Sequence, residues 1–229
     1  MKNIVIVGGS TGIGSELAQI LSVANNVLVL ARNEAKLSAL KTLCGNKIEI
    51  QRLDLCDSAI KNNLTAIVKQ QFDHVDILIN TAGYLVNKPF LELTREDIEL
   101  TYSTNITGIV EACQAIVPFM SKKGGHIVNI GSMGGFQGSS KFPGLSIYSS
   151  SKSAVAGLSE CLAEELKEYN IQVNCLALGA AQTDMLAKAF PGYEAPLSAK
   201  KMAEYIANFS LSANQWINGK VIPVAISTP

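Results

Sequence analysis

Asn3-Ile4-Val5-Ile6-Val7-Gly8-Gly9-Ser10-Thr11-Gly12-Ile13-Gly14 reads as a short apolar strand that runs into a glycine-rich turn and then a helix. The unbroken apolar run Ile4–Val7 suits a strand covered on both faces, since a half-exposed strand would alternate. Glycine permits positive φ and close approach of backbone to backbone. A helix starting near Gly12 turns unpaired N–H groups and its positive dipole end toward that turn, which favours a phosphate. Gly8, Gly12 and Gly14 are spaced Gly-x-x-x-Gly-x-Gly, not Gly-x-Gly-x-x-Gly. A strand before the turn and an amphipathic helix after it make the loop, with Ser10, Thr11 and Ile13 between the glycines, a candidate dinucleotide cradle rather than a bare structural bend.

Working outward, short β-branched runs alternate with helical patterns. Strands are predicted at Asn3–Val7, Asn26–Ala31, Lys47–Arg52, Val75–Asn80, Gly125–Gly131, Ile171–Ala177 and Lys220–Val224. Helices are predicted at Gly12–Ser22, Glu34–Leu43, Asp57–Gln70, Thr94–Ser121, Ile147–Tyr169 and Ser198–Phe209. The alternation implies right-handed βαβ units and an α/β fold: a single-domain, doubly wound, Rossmann-type parallel sheet of seven strands over residues 1–229. Ligands of such sheets bind beyond the carboxyl ends of the strands. The residues singled out below follow Val7, Ala31, Arg52, Asn80, Gly131 and Ala177.

Composition narrows the function. The 19 basic and 19 acidic residues cancel, without a long block of either sign, so neither nucleic acid nor an acidic membrane surface is an expected partner. The apolar fraction of 48% fits a doubly covered sheet or a face hidden by another subunit. Five scattered cysteines without a Cys-x-x-Cys pair suit a reducing compartment. His74 and His126 lack ligand spacing, so no metal is expected. The first apolar run is too short for a signal peptide and no stretch is long enough to span a membrane, so the expected location is cytoplasmic.

The second strand ends in Leu30-Ala31-Arg32-Asn33, with no acid before Glu34. An acid there would bind a ribose 2′-hydroxyl and repel a 2′-phosphate; Arg32 can pair with the phosphate through two charge-assisted hydrogen bonds. NADP(H) is therefore expected over NAD(H), the plain alternative being a solvated Arg32. Asp54, in Leu53-Asp54-Leu55, is either an acceptor for an adenine amino group or a turn residue. Tyr148 and Lys152 stand four apart, on one face if helical. A lysine ammonium nearby favours the phenolate of a tyrosine whose free pKa is about 10, and such a tyrosine can exchange a proton with an alkoxide. Ser132 ends the strand His126–Ile130 and its following glycine, where its hydroxyl can polarise a carbonyl or simply serve the turn. Asn105 is an unfavourable residue for a helix interior, suited to binding a water or a carbonyl, or to bending the helix. No Gly-x-Ser-x-Gly elbow is present, which disfavours a Ser-His-Asp hydrolase.

Taken together, these residues resemble the short-chain dehydrogenase/reductase family in order along nearly the whole chain. Gly8, Gly12 and Gly14 match its glycine motif, and Asn80-Thr81-Ala82-Gly83 is similar to its Asn-Asn-Ala-Gly motif. Asn105, Ser132, Tyr148 and Lys152 match its catalytic tetrad. The resemblance implies that Tyr148 is the general acid/base, that Lys152 holds the nicotinamide ribose and lowers the tyrosine pKa, that Ser132 orients the carbonyl and that Asn105 keeps a water in the proton relay. It implies cofactor contacts from the glycine loop, from Arg32 and Asn33, from Asp54 and Leu55, from Asn80, Ala82 and Gly83, and from Gly179 and Thr183. It also implies a homodimer or homotetramer built on Thr94–Ser121 and Ile147–Tyr169.

The sequence departs from the family at Val7, at Thr81, at Leu178-Gly179 in place of Pro-Gly, and in a tail without Asp-Gly-Gly. The segment Asp184–Pro196 is short for a substrate lid. The expected function is an NADP(H)-dependent carbonyl reductase or alcohol dehydrogenase acting on a small molecule. The alternative is a protein of the same fold that binds NADP(H) without turnover. Tyr84, Met133, Phe136, Phe142, Met185 and Phe190 are candidates for an apolar substrate pocket.

Overall fold

Seven strands lie side by side in the order β3-β2-β1-β4-β5-β6-β9, every neighbouring pair parallel. They are β1 (Asn3–Val7), β2 (Asn26–Ala31), β3 (Ile48–Arg52), β4 (Ile77–Asn80), β5 (Gly125–Ser132), β6 (Ile171–Leu178) and β9 (Val221–Val224). The structure, a computed structural model, describes residues 1–226, so the last three residues of the expected domain lie outside the described residues. A small ribbon of β7 (Ala181–Gln182) and β8 (Leu197–Ser198) stands apart from the sheet. The central strands are buried along almost their whole length, whereas the edge strands β3 and β9 are partly open. Pro223, which cannot donate to a ladder, sits on the β9 edge, where that costs nothing.

Helices cover both faces. On one side α3 (Ile60–Gln71), α5 (Gly108–Met120) and α6 (Ser146–Glu165) bury Leu64, Val68, Ile109, Ile116 and Val155 against Val5, Leu28, Leu78 and Ile127. On the other, α1 (Gly12–Leu21), α2 (Glu34–Cys44) and α8 (Ala199–Ser212) bury Leu17, Leu21, Leu37, Met202 and Ile206 against Ile4, Ile6, Val29 and Ile79. Adjacent residues of one strand thus enter different cores, which is why these strands read as unbroken apolar runs. Full burial of each such side chain stabilises by about 1.5–3 kcal/mol. Strand order reverses between β1 and β4, and the crevice at that point opens at the carboxyl ends of the strands.

The predicted helix Thr94–Ser121 is divided. α4 (Arg95–Tyr102) opens with a capping box in which Thr94 and Asp97 satisfy each other's backbone N–H. A π-turn at Ser103–Thr107 then leads into α5. Asn105 lies inside that turn, so the local distortion expected of it is present. A further helix, α7 (Asp184–Ala189), and the ribbon strands on either side of it occupy the segment after β6.

Two polar groups are committed to the core. Asn80 donates to Asn129 Oδ1 (2.8 Å), Asn129 donates to Ser159 Oγ (2.9 Å), and Ser159 donates to Val155 O (2.7 Å), which ties β4, β5 and α6 together. His126 is 1% exposed and meets Ser210 O at 3.0 Å and Asn174 Nδ2 at 3.0 Å. With Nδ1 donating to the carbonyl and Nε2 accepting from the amide, both contacts require a neutral ring. Burial pushes its pKa down from 6.5 to about 4.

A depressed histidine pKa means that the unfolded chain binds the proton first as pH falls. Stability contributed by neutral His126 is therefore complete above pH 6.5 and is lost as pH drops toward 4. The loss amounts to about 3 kcal/mol. Urea denaturation at pH 7, 5.5 and 4.5 is expected to reveal this slope, and His126→Gln is expected to flatten it.

Candidate active site

A crevice of about 660 Å³ runs along the carboxyl ends of the strands. Its first wall is the glycine turn, with Gly8, Ser10, Thr11, Gly12, Ile13 and Gly14 all lining it. Gly8 has φ +96°, and a Cβ there would lie 2.3 Å from Ala82 N, so only glycine lets the turn meet the Thr81-Ala82 loop. Thr81, which stands in place of the family's second Asn, makes the same junction firm. Its backbone N–H (2.8 Å) and its hydroxyl (2.9 Å) both donate to Val7 O. Thr11 places no side-chain cap on α1, so the first N–H groups of that helix are left to whatever enters the crevice.

The adenosine-like end is formed by Arg32, Asn33, Asp54 and Leu55. Arg32 is exposed and lines the crevice together with Lys36, one turn further on. Lys36 was missed in the sequence; its signal was a second cation four residues after Arg32. Glu34, the first acid after β2, faces Arg52 at 3.8 Å. Asn33 caps α2 by accepting from Lys36 N at 2.9 Å, and Asp54 accepts from Cys56 N at 3.0 Å, so each also has a local structural use.

The other end holds Ser132, Tyr148 and Lys152 beside Gly83, Gly179 and Thr183. Ser132 closes β5, its hydroxyl accepts from Gly134 N at 3.2 Å, and it stands close enough to Tyr148 to favour the phenolate. Tyr148 and Lys152 lie on α6, with the lysine Nζ 6.0 Å from the centre of the tyrosine ring. Lys152 is 4% exposed and donates to Ile130 O at 2.8 Å. Burial drives its pKa from 10.5 down to about 8. Burial raises the Tyr148 pKa, and the Ser132 hydrogen bond works against that rise. In the protein alone the phenol is thus held as a neutral acid beside a lysine that gives up its charge readily.

One glycine sets this geometry and was not singled out in the sequence. A Cβ on Gly135 would lie 2.5 Å from Lys152 C and 2.6 Å from Ser153 N. The turn after β5 therefore lies directly against the backbone of α6, and Ser153 Oγ fastens it by donating to Gly135 O at 2.8 Å. A Gly/Ser-rich loop following a strand was visible; the helix it abuts was not.

Asn80 and Asn105 do not line the crevice. Asn80 is fully buried in the amide chain described above. Asn105 donates to Tyr84 O (2.9 Å) and Ser151 Oγ (2.9 Å) and accepts from Tyr84 N (2.7 Å). Both of its amide hydrogens are engaged within the protein, so it braces the loop after Gly83 against α6. Of the apolar candidates, Met133, Phe142, Met185 and Phe190 line the crevice, while Tyr84 and Phe136 do not; Leu85, Leu145 and Tyr193 were missed. Among the described residues no group of three or more His, Cys, Asp or Glu is placed to hold a metal ion, and no helix is long and apolar enough to cross a membrane.

A family model for the short chain dehydrogenases matches residues 2–194. The chain belongs to the short-chain dehydrogenase/reductase family. It is an oxidoreductase by that membership. It is 34% identical over 189 residues to carbonyl reductase family member 4 of Xenopus laevis, covering 80% of this chain and 77% of the relative. Among solved structures it is similar to ElxO with NADP bound, at 28% identity and a TM-score of 0.86, covering 98% of this chain and 97% of that one. It shares its fold with a 3-ketoacyl-(acyl-carrier-protein) reductase from Brucella melitensis complexed with NADH, at 21% identity and a TM-score of 0.87, over 97% of this chain and 96% of the other. The family's departures at Leu178-Gly179 and in the tail are accommodated: Gly179 N donates to Val224 O at 2.9 Å, and β9 pairs with β6 without an Asp-Gly-Gly ending.

Gly135→Ala is expected to lower stability by about 1–3 kcal/mol, because the methyl must displace either the turn or α6. Urea midpoints of the two proteins measure it, and an unchanged midpoint would show that the contact has room to spare.

Proposed function

We propose that this protein is an NADP(H)-dependent reductase and dehydrogenase for a small carbonyl/alcohol pair, with Tyr148 as its general acid/base. The observation that carries the reading is the convergence of Ser132, Tyr148 and Lys152 in the same crevice as the glycine turn. The residues fit a dinucleotide: Gly8 lets the turn close against Ala82, the turn lines the crevice, and the α1 N-terminus is open to phosphate. When bound, the nicotinamide exchanges a hydride with the substrate carbon.

The chain's own residues handle the rest. Ser132 donates a hydrogen bond to the carbonyl oxygen and polarises it. Tyr148 gives its proton to the oxygen as the alkoxide develops and takes it back in oxidation. The Lys152 ammonium favours the phenolate left behind. Asn105 acts as a positioning residue by fixing the loop after Gly83 and Ser151 of α6. Arg32 and Lys36 supply the positive charge that a 2′-phosphate requires, and Glu34, the first acid after β2, is turned to Arg52. A homodimer or homotetramer built on α4, α5 and α6, and a cytoplasmic location, belong to the same proposal; Ile98 and Tyr102 leave apolar surface exposed on α4.

Tyr148→Phe is expected to reduce kcat/KM for NADPH-driven carbonyl reduction by about 10²–10⁴-fold, the usual worth of general acid catalysis. Its NADPH dissociation constant, read by calorimetry, is expected to change only a few-fold. Turnover equal to the parent protein's would remove Tyr148 from the mechanism. Arg32→Ala is expected to weaken NADPH about tenfold or more and NADH little, from the loss of a charge-assisted hydrogen bond. Equal effects on the two cofactors would count against a 2′-phosphate site.

The pH dependence follows from Lys152. Its charge is present below its folded pKa and lost as pH rises through about 8. Since kcat/KM reports ionisations of the free enzyme, reduction is expected to fall on that alkaline limb. A profile that climbs steadily through pH 8–9 would mean that the ammonium is not needed.

A further inference from the structure

The substrate end of the crevice is lined by apolar side chains from three separate segments: Leu85, Met133, Phe142, Met185, Phe190 and Tyr193. Phe142, Met185 and Tyr193 are 37%, 41% and 49% exposed, which is unusual for side chains of this kind beside one opening. The cations lining the whole crevice are Arg32, Lys36 and Lys152. The first two belong to the adenosine-like end, and the third is buried beneath Tyr148 with its Nζ bonded to Ile130 O. Lys141, next in sequence to Phe142, does not line the crevice; its Nζ donates to Phe136 O (2.7 Å) and Ser139 Oγ (2.8 Å). The charge that the lid segment adds to the lining is negative, from Asp184. The lid is also held in place. Asn87 Nδ2 donates to Ala189 O at 2.8 Å, and Ala195 N donates to Gln182 Oε1 at 2.8 Å.

We infer that the physiological substrate is an uncharged carbonyl compound, or its alcohol, bearing an aliphatic or aromatic group next to the reacting carbon, and that carboxylate- or phosphate-bearing substrates are excluded. An anionic group brought into this end loses part of its water against apolar walls, and the one charge that the segment after β6 adds to the lining is that of Asp184. Burying an unpaired charge is strongly unfavourable, while the same walls reward each buried methylene with about 0.8 kcal/mol. In the reduction, hydride from reduced nicotinamide would form the new C–H bond, the Tyr148 proton would form the O–H bond, and the phenolate left would be reprotonated from water, so that ketone, NADPH and one solvent proton become alcohol and NADP⁺. The inference rests on the function proposed above, but it concerns which carbonyl compounds reach Tyr148.

The test compares two ketones of one skeleton, ethyl benzoylformate and the benzoylformate anion, with the full chain and saturating NADPH. The expected result is a kcat/KM at least 100-fold higher for the neutral ester. Calorimetry with the Tyr148→Phe protein and NADP⁺ is expected to give the same order of affinity, which reads binding apart from turnover. Met185→Lys, an exchange at an exposed lid position, is expected to narrow the ratio at least tenfold. Equal turnover and equal binding of ester and anion would overturn the inference while leaving the oxidoreductase reading intact. Absence of turnover for both ketones, with NADPH bound, would instead overturn the function on which it rests.

Discussion

Backbone lies against backbone where the turn after β5 meets α6, and the geometry of the candidate site depends on that contact. At Gly135 there is no room for a side chain: the nearest atoms belong to the peptide backbone at Lys152 and Ser153. The contact puts the end of β5, where Ser132 sits, within reach of the helical turn that carries Tyr148 and Lys152. Ser153 Oγ and Lys152 Nζ then fasten α6 to Gly135 O and Ile130 O. A second junction of the same kind, between Gly8 and Ala82, closes the cradle at the other end of the crevice. Two glycines set the floor, and the polar groups inherit their positions from it.

The electrostatics follow from that closeness. A lysine ammonium buried under a half-covered tyrosine is destabilised, which is why its pKa falls to about 8. The same burial raises the phenol. In the protein alone the pair is therefore set to donate a proton rather than to accept one. In the proposed mechanism, added positive charge near the phenol would favour the phenolate that oxidation needs, and an oxidised nicotinamide ring is a group of that sign.

Much of the architecture was legible because the buried parallel sheet imposes a simple pattern. Ile4–Val7, Val27–Leu30 and Ile127–Val128 could only be doubly covered strands, and the glycine turn could only follow one of them. Boundaries drifted where local chemistry competed: β4 begins at Ile77, not Val75, and the expected single helix from Thr94 is broken by the π-turn at Asn105. The short α7 and the β7–β8 ribbon escaped because a few residues carry no period. Within the site, residues in consecutive motif order were readable, whereas Gly135, Lys36, Leu85 and Tyr193 were not. Their importance comes from what lies opposite them in space. Asn80 shows the converse: its place in a motif suggested the crevice, while its amide is committed to Asn129 in the core.

The central claim is that phenol, ammonium and hydroxyl meet at the nicotinamide end of a bound dinucleotide. A crystal structure with NADP⁺ tests it most directly. The account predicts the 2′-phosphate between Arg32 and Lys36, the pyrophosphate at the α1 N-terminus, and the nicotinamide ribose within hydrogen-bond reach, about 2.6–3.2 Å, of Tyr148 or Lys152. A cofactor bound in the reverse sense, or a nicotinamide lying away from Ser132 and Tyr148, would contradict it.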